Sequence, residues 1–324
     1  MQMRHSSAAY RDLGRLLRET RKKSGLSSER LAKKMGWPLT TISRMENGGR
    51  VSSTTDVIQF AVSCGLKAGA ELDRLIEFTR MAELDRGYYL SDARIGGSLQ
   101  SLILYESSAE SSTIYEPQVI HGLLQTPAYA RALIAALNAN ISEDRVSAAI
   151  LTRMQRRRIL SVPDSARFTF YFHENALRLQ VGTDKIMHEQ LLHIVLTAAL
   201  DRVTVRIVPS STGERCAFGG PFQLMEFDRH RPIVYLDNFR VGGLILDDSD
   251  HVCSYGELVP TLDDLALDEG QSREFVASLA DEFDRGSQRS GAVGLAQEQL
   301  QRRRGNELRG GLLAQEQPQR RLGV

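Results

Sequence analysis

Residues Gly25–Gly48 read GLSSERLAKKMGWPLTTISRMENG, and this stretch decides the fold of the first part of the chain. Ala32, Gly36 and Ile42 stand where two steeply crossing helices need a small side chain, a sharp turn and a buried anchor. Gly36 permits the left-handed backbone of such a turn because it lacks a Cβ atom. The spacing therefore predicts a helix-turn-helix whose second helix covers Leu39–Asn47 and ends before two glycines.

Apolar residues recur at helical spacing on both sides of this motif. The pattern predicts an amphipathic helix over Tyr10–Ser24 before the motif, and helices around Val57–Val62 and over Ala70 to about Arg86 after it. Five helices in about 75 residues are enough to form one small core. We therefore expect an all-α domain over residues 10–86, preceded by a flexible terminus over residues 1–9.

The motif, and above all ISRMENG at 42–48, resembles the Cro and lambda-repressor-like regulators of the xenobiotic-response-element family. The resemblance covers roughly residues 10–80 and implies that the helix over 39–47 enters the major groove of operator DNA. On the matching positions it implies base-reading roles for Leu39, Thr40, Thr41 and Arg44, and phosphate contacts from Ser28, Lys33, Ser43 and Arg50. Among the base readers, Arg44 has the geometry for a bidentate contact with guanine.

The same resemblance gives two residues of the signature a structural role. It implies that Glu46 forms an ion pair with Arg21 on the first helix, and that this pair fixes the orientation of the helices. If the pair is buried, removal of one partner costs on the order of 3 to 5 kcal/mol, because the other charge is left unpaired. We expect Asn47 to act as a helix end group rather than as a base reader.

Charge is distributed unevenly along the chain. The whole sequence of 324 residues carries a formal net charge of only +1, which by itself does not favour nucleic acid as a partner. Residues 1–50, however, contain 12 Lys or Arg against 4 Asp or Glu, whereas residues 87–285 contain 18 against 27. A basic first segment on an acidic body is expected when one domain meets phosphate and the other does not.

Length and composition limit the class of protein. A chain of 324 residues with 42% hydrophobic content suffices for a second core, so we expect two domains. No apolar run approaches the roughly 20 residues that span a bilayer, and no signal sequence is recognisable. The three cysteines, Cys64, Cys216 and Cys253, are widely separated. We expect a cytoplasmic, nucleoid-associated protein without disulfides, metal or cofactor.

The second part of the chain is predicted to be an α+β domain with a mixed or antiparallel sheet, over residues 98–285. Gly and Ser in GYYLSDARIGGS indicate a linker over residues 87–97. Helices are predicted over Gly97–Ala109, Pro127–Asn138, Ser142–Leu160, Lys185–Leu200 and Ser272–Phe283, and strands over Ala166–Phe172, Val203–Val208, Phe222–Phe227 and Ile233–Leu236. We expect this domain to form a homodimer and to receive a signal.

Residues 286–324 form a tail rich in Gly, Gln and Arg. The segment LAQEQLQRRRG at 295–305 recurs as LAQEQPQRRLG at 313–323. Few large apolar side chains are present, so we expect a disordered tail. Auxiliary contact of Arg302–Arg304 with DNA phosphates is the alternative.

Several phrases of the second domain resemble the actinobacterial domain of unknown function catalogued as 5753. They are YEPQVIHGLLQTPAYARALI at 115–134, the arginine cluster at 153–158, FHENALRLQVG at 172–182, FGGPFQLMEF at 218–227 and PIVYLDN at 232–238. The resemblance implies a cytoplasmic regulator that works with a small partner protein in developmental or antibiotic pathways. It implies no particular ligand or reaction.

Three groups of residues in this domain are candidates for ligand or partner binding. Arg153, Arg156 and Arg157 share one face of a predicted helix, where they could grip an anion or simply offset the acidity of the domain. The other candidates are a possible cleft lined by Tyr115, Glu116 and His121, and the strand-to-helix junction at His173 and Glu174. At that junction, helix capping is favoured over proton transfer.

An enzymatic function is not expected. HEQLLH at 188–193 places its histidines five residues apart, which turns them away from each other on a helix, and no nucleophile elbow, phosphate loop or dinucleotide fingerprint occurs. We therefore expect a DNA-binding transcription regulator, homodimeric, controlled by a small molecule or a small protein. The alternatives are an antitoxin-like autoregulator controlled by a protein partner, and an enzyme with a DNA-binding head.

Overall fold

A computed structural model describes residues 7–84, 86–91, 98–138, 140–163, 165–238 and 242–288. The first domain contains the five predicted helices. They are α1 (Ala8–Lys23), α2 (Ser28–Met35), α3 (Leu39–Glu46), α4 (Thr54–Ser63) and α5 (Ala70–Glu83). The helix-turn-helix is formed by α2 and α3.

Local chemistry explains where these helices begin and end. Ser27 accepts a hydrogen bond from the Arg30 amide at 3.2 Å and caps α2. Gly36 ends α2 with φ 68°, the left-handed conformation that the sequence required of it. Ser53 and Asp56 form a reciprocal capping box at the start of α4.

The first helix begins earlier than expected. Ala8 and Ala9 belong to α1 and are buried, although the sequence placed them in a flexible terminus over residues 1–9. The cause is a contact with the second domain that the sequence does not reveal. The Ala8 amide donates to Asp247 Oδ2 at 2.5 Å, and the Ala8 carbonyl accepts from the Tyr105 hydroxyl at 2.8 Å.

The second domain alternates helices and strands. Its helices are α6 (Ser98–Ser108), α7 (Pro127–Leu137), α8 (Glu143–Arg157), α9 (Glu174–Arg178), α10 (Asp184–Thr197), α11 (Ser249–Gly256), α12 (Leu258–Leu265) and α13 (269–288). Its strands are β1 (Tyr88–Ser91), β2 (Ser111–Glu116), β3 (Arg167–His173), β4 (Val203–Val208), β5 (Phe222–Glu226), β6 (Ile233–Leu236) and β7 (Gly243–Leu246). The α+β class predicted from the sequence is confirmed.

The seven strands form one mixed sheet in the order β1-β7-β6-β5-β2-β3-β4. β2, β3 and β4 run parallel, because helical crossovers separate them in the chain. β5, β6, β7 and β1 extend the sheet in antiparallel pairs. Helices cover both faces: Phe168, Phe170 and Phe172 face the larger core, whereas Tyr115 and Tyr171 belong to a smaller cluster with α11 and α12.

The predicted linker and tail differ in part from the structure. Residues 88–91, assigned to the linker over 87–97, form β1, which pairs with β7 and places Tyr89 in the core. The ring of Tyr89 packs edge-on against Phe78 of α5, so the segment joins the two domains by contact. Residues 286–288 continue α13. Residues 92–97 and the repeated segments of the tail lie outside the described residues.

Candidate nucleic-acid interface and ligand cavity

One side of α3 anchors it and the other is open to solvent. Ile42 and Met45 are fully buried against the first-domain core, and Glu46 is buried beside them. The remaining positions form the outward face of the helix, with Thr41 half-buried at its edge and Leu39, Thr40, Ser43 and Arg44 exposed. The face that the sequence assigned to base reading is therefore presented as one surface.

The basic residue on this face is held by its own helix end. Arg44 donates from Nε and Nη2 to the Gly49 carbonyl, at 3.3 and 3.1 Å. A bidentate contact with guanine requires the guanidinium to exchange this carbonyl for a base edge. The exchange is local, because Arg44 is exposed and its partner belongs to the loop that follows α3.

The four candidates for phosphate contact differ in their exposure and in their hydrogen-bond or charge partners. Lys33 is exposed on α2, and Ser28 is half-buried in the first turn of that helix. Ser43 accepts from the Asn47 side-chain amide at 3.4 Å. Arg50 is paired with Asp56 at 3.1 Å and lies over the Trp37 ring, so part of its charge is already compensated.

Arg21 and Glu46 form the ion pair expected between α1 and α3. Arg21 Nε and Nη2 donate to the two Glu46 oxygens at 2.5 and 2.9 Å, and Arg21 Nη1 donates to the Leu26 carbonyl at 2.8 Å. The hydrogen bonds that Arg21 donates to Glu46 raise the pKa of Arg21 above its ordinary value. Sequence reasoning missed Arg18, which donates to the Glu46 carbonyl at 3.2 Å and to the Asn47 side chain. The pair orients α3 and leaves its outward face free of acidic groups.

A cavity in the second domain brings together half of the candidate ligand residues. It has a volume of about 90 Å3 and lies at the end of β2, beside α8 and the end of β6. Glu116, His121, Arg153 and Arg156 all line it, together with Gln223 and Asp237, which the sequence did not single out.

The other four candidates lie away from this cavity. Tyr115 faces the opposite side of the sheet, where its hydroxyl donates to the Cys216 carbonyl. Arg157 contacts His193 Nε2 at 3.0 Å. His173 Nδ1 accepts from the Asn175 amide and caps α9, and Glu174 binds Arg178 at 2.6 Å and the Ser210 amide at 2.9 Å. The polar groups of these four residues are therefore bonded to neighbouring residues and do not face the cavity.

The polar groups of the cavity influence one another. Arg156 makes a bidentate ion pair with Glu106 of α6, at 2.6 and 2.8 Å, and this pair keeps its pKa raised despite burial. Burial, and then the charges of Arg156 and Arg153, lower the pKa of His121 well below its ordinary value. Burial, and then the nearby Asp237, raise the pKa of Glu116 to about 8. The cavity therefore contains a neutral imidazole and a carboxyl group that holds its proton near neutrality.

The two histidines of HEQLLH have separate structural partners. His188 Nδ1 contacts the Ala280 carbonyl at 2.8 Å, whereas His193 contacts Arg157. Among the residues described, no group of three or more His, Cys, Asp or Glu side chains could hold a metal ion. The same residues include no helix that is long and apolar enough to cross a membrane.

Two protein-family models match separate parts of the chain. The model of a domain of unknown function, DUF5753, matches residues 99–278, more than half of the sequence. The chain belongs to the DUF5753 family. A helix-turn-helix domain model matches residues 12–75 of this DUF5753 protein, which indicates a DNA-binding regulator. Searches of curated proteins and of solved structures found no match.

Proposed function

We propose that this DUF5753 protein is a sequence-specific transcription regulator, in which α3 reads an operator and the second domain receives a signal. The observation that carries the proposal is the geometry of α3. Its inner side is fixed by Ile42, Met45 and the Arg21–Glu46 pair, and its outer side presents Thr40 and Arg44 to solvent. A rigid helix with exposed donors is what reading of a major groove requires.

Charge supports the same proposal. The excess of Lys and Arg in residues 1–50 provides attraction to phosphate, and the acidic second domain disfavours contact of DNA with the rest of the molecule. In this proposal the second domain binds a small molecule or a small protein and does not catalyse a reaction. The protein acts in the cytoplasm, at the nucleoid.

A homodimer is part of the proposal. One α3 of 8 residues reads only a few base pairs, so useful specificity requires two half-sites, about 34 Å apart in the DNA. Leu192, Leu196 and Leu200 are solvent-exposed at four-residue spacing along and just after α10. Such a stripe supports association of two copies through the second domain.

Selection from a random duplex library with the full-length protein tests the proposed function. We expect enrichment of one motif with two related half-sites, and tight binding of that duplex relative to a scrambled duplex of the same composition. Enrichment of no sequence, or equal affinity for the enriched and scrambled duplexes, would contradict sequence-specific binding. Sedimentation of the protein with and without the enriched duplex measures the number of copies bound.

A further inference from the structure

The cavity beside α8 has a side that only donates hydrogen bonds. Arg156 uses Nε and Nη2 for Glu106, and its remaining nitrogen, Nη1, lies close to Gly122 at the cavity wall. Arg153 uses Nη1 for the Gln125 side chain, at 2.8 Å, and has further N–H groups. His121 accepts from the Leu123 amide at Nδ1, so the neutral ring carries its proton on Nε2.

The opposite side of the cavity presents oxygen atoms. Glu116 at the end of β2, Gln223 on β5 and Asp237 after β6 contribute carboxyl and amide oxygens from three adjacent strands. Gln223 is 3% exposed, and its Nε2 donates to Glu106 at 3.2 Å and to Ser112 at 2.9 Å. A carboxylate accepts only, so this contact fixes the amide with Oε1 turned away from Glu106.

The side-chain oxygen of Gln223, Oε1, points to a bound ligand because it lacks a hydrogen-bond donor in the described part of the chain. It is buried and has no hydrogen-bond partner among the residues described. A buried acceptor without a donor costs about 1 to 3 kcal/mol, so native proteins rarely leave one unpaired. Gln223 lines the cavity together with Glu116 and Asp237, so a donor group of a bound ligand would supply the partner that Oε1 lacks.

We propose that this cavity binds a small zwitterion of the amino-acid class, and that α6 transmits its presence to the helix-turn-helix domain. The ligand carboxylate pairs with Arg153, Arg156 and His121, and its ammonium pairs with the acceptors on the sheet. Leu102, Ile114 and Phe222 provide the apolar part of the wall. The effect on DNA binding rests on the proposed function, whereas the binding of the amino acid does not.

The helix α6 connects the cavity to the first domain. Leu102 lines the cavity and Glu106 holds Arg156, one turn apart on one side of the helix. On the adjacent side, Ser101 donates to Asp12 of α1, and Tyr105 donates to the Ala8 carbonyl at 2.8 Å. A ligand that draws Arg156 toward its carboxylate therefore acts on the helix that holds α1.

Calorimetric titration of the full-length protein with the proteinogenic L-amino acids tests the binding step. We expect one amino acid, or a group of similar side chain, to bind, and its amine-only and acid-only analogues to bind at least about tenfold more weakly. No binding by any amino acid would overturn the proposal. Equal binding of a singly charged analogue would overturn the zwitterion class.

Two variants with matched controls assign the site. Glu116→Gln removes a carboxyl group and Arg153→Gln removes a positive charge from the cavity, and each should weaken amino-acid binding by about tenfold or more. Glu110→Gln and Arg145→Gln change exposed residues outside the cavity and should bind as the wild type does. Circular dichroism checks that each variant is folded. Wild-type affinity in both folded cavity variants would overturn the assignment.

Operator titration with and without the bound amino acid tests transmission. We expect operator affinity to change by about fivefold or more when the cavity is filled. Ser101→Ala should keep amino-acid binding and lose most of this change, because it breaks the contact between α6 and Asp12 without touching the cavity. Amino-acid binding with unchanged operator affinity would overturn transmission. A protein that binds no duplex in either state would instead count against the proposed function.

Discussion

Glu116 lies half-buried at the end of β2, facing Asp237, Arg156, Arg153 and His121. Burial and the charge of Asp237 raise its pKa to about 8, against the opposing attraction of Arg156. The folded protein therefore keeps a proton that the unfolded chain releases near pH 4.5. A group with a raised pKa stabilises the fold fully at low pH, and this stability is lost as pH rises toward 8.

Replacement of Glu116 by Gln should remove this pH dependence. The free energy of unfolding of the wild type should fall relative to that of Glu116→Gln between about pH 5 and pH 8. The reason is that only the wild type has a carboxyl group at this position, and its pKa is higher in the folded than in the unfolded protein. Urea unfolding at several pH values measures the difference, with Glu110→Gln as the control. Parallel pH profiles for the wild type and Glu116→Gln would contradict a raised pKa.

The sequence indicated one buried ion pair but not another. The Arg21–Glu46 pair followed from the family resemblance of the motif, and the structure contains it. The Glu106–Arg156 pair had no comparable signal, because 50 residues separate its partners and the arginine cluster at 153–158 does not indicate an acidic partner. Glu116, His121, Arg153 and Arg156 were named in two unrelated groups, and only the sheet and α8 together bring them into one cavity.

The contact between α1 and α3 depends on a glycine within α1. A Cβ atom on Gly14 would lie 2.6 Å from the Met45 carbonyl oxygen and 2.7 Å from that of Glu46, both of them backbone atoms. Gly14→Ala should therefore destabilise the protein by about 1 to 3 kcal/mol, because the clash outweighs the gain in helix propensity.

Gly256 in α11 provides the matched control. A Cβ atom there meets no atom within 4 Å, so Gly256→Ala should be neutral or stabilising by up to about 1 kcal/mol. Urea unfolding of the two variants measures both effects. A Gly14→Ala variant as stable as Gly256→Ala would show that α1 and α3 do not cross as closely as described.

The elements differ in how far the sequence predicts them. The first five helices were predicted because periodicity and caps such as Ser27 are local signals. The strands β1, β2 and β7 were not predicted, since their pairing joins distant segments, as in Tyr88 with Leu246. The mixed order of the sheet likewise follows from crossovers that no local pattern encodes.

The two domains share one continuous hydrophobic core, with a polar cluster at their junction. Asp12 of α1 is 1% exposed and accepts hydrogen bonds from Tyr89 at 2.8 Å, from Ser101 and from Arg15 at 2.9 Å. The sequence predicted two domains but not this contact, because each side of it reads as an ordinary amphipathic face. Chain composition predicted the uneven charge of the whole molecule, and the disordered tail stays a prediction.

Asp12→Ala tests whether the junction holds the domains together. Loss of the acceptor removes one hydrogen bond each from Tyr89, Ser101 and Arg15 and should cost about 1 to 3 kcal/mol of stability. Hydrogen exchange should accelerate in both α1 and α6, since the two helices lose one of the contacts that join them. Asp73→Ala, at an exposed position of α5, is the control. Acceleration confined to α1 would contradict a joint role of the cluster.

The selectivity of Arg44→Ala between two duplexes tests whether α3 reads the base edges of DNA. Fluorescence anisotropy gives the ratio of affinities for the selected operator and a scrambled duplex, with Arg145→Ala as the control. We predict that Arg44→Ala reduces the free energy of discrimination that this ratio reports by about 1 to 3 kcal/mol and relaxes the sequence preference at one base pair. Arg145→Ala should leave the ratio unchanged. An unchanged ratio in folded Arg44→Ala would contradict base reading by this helix face.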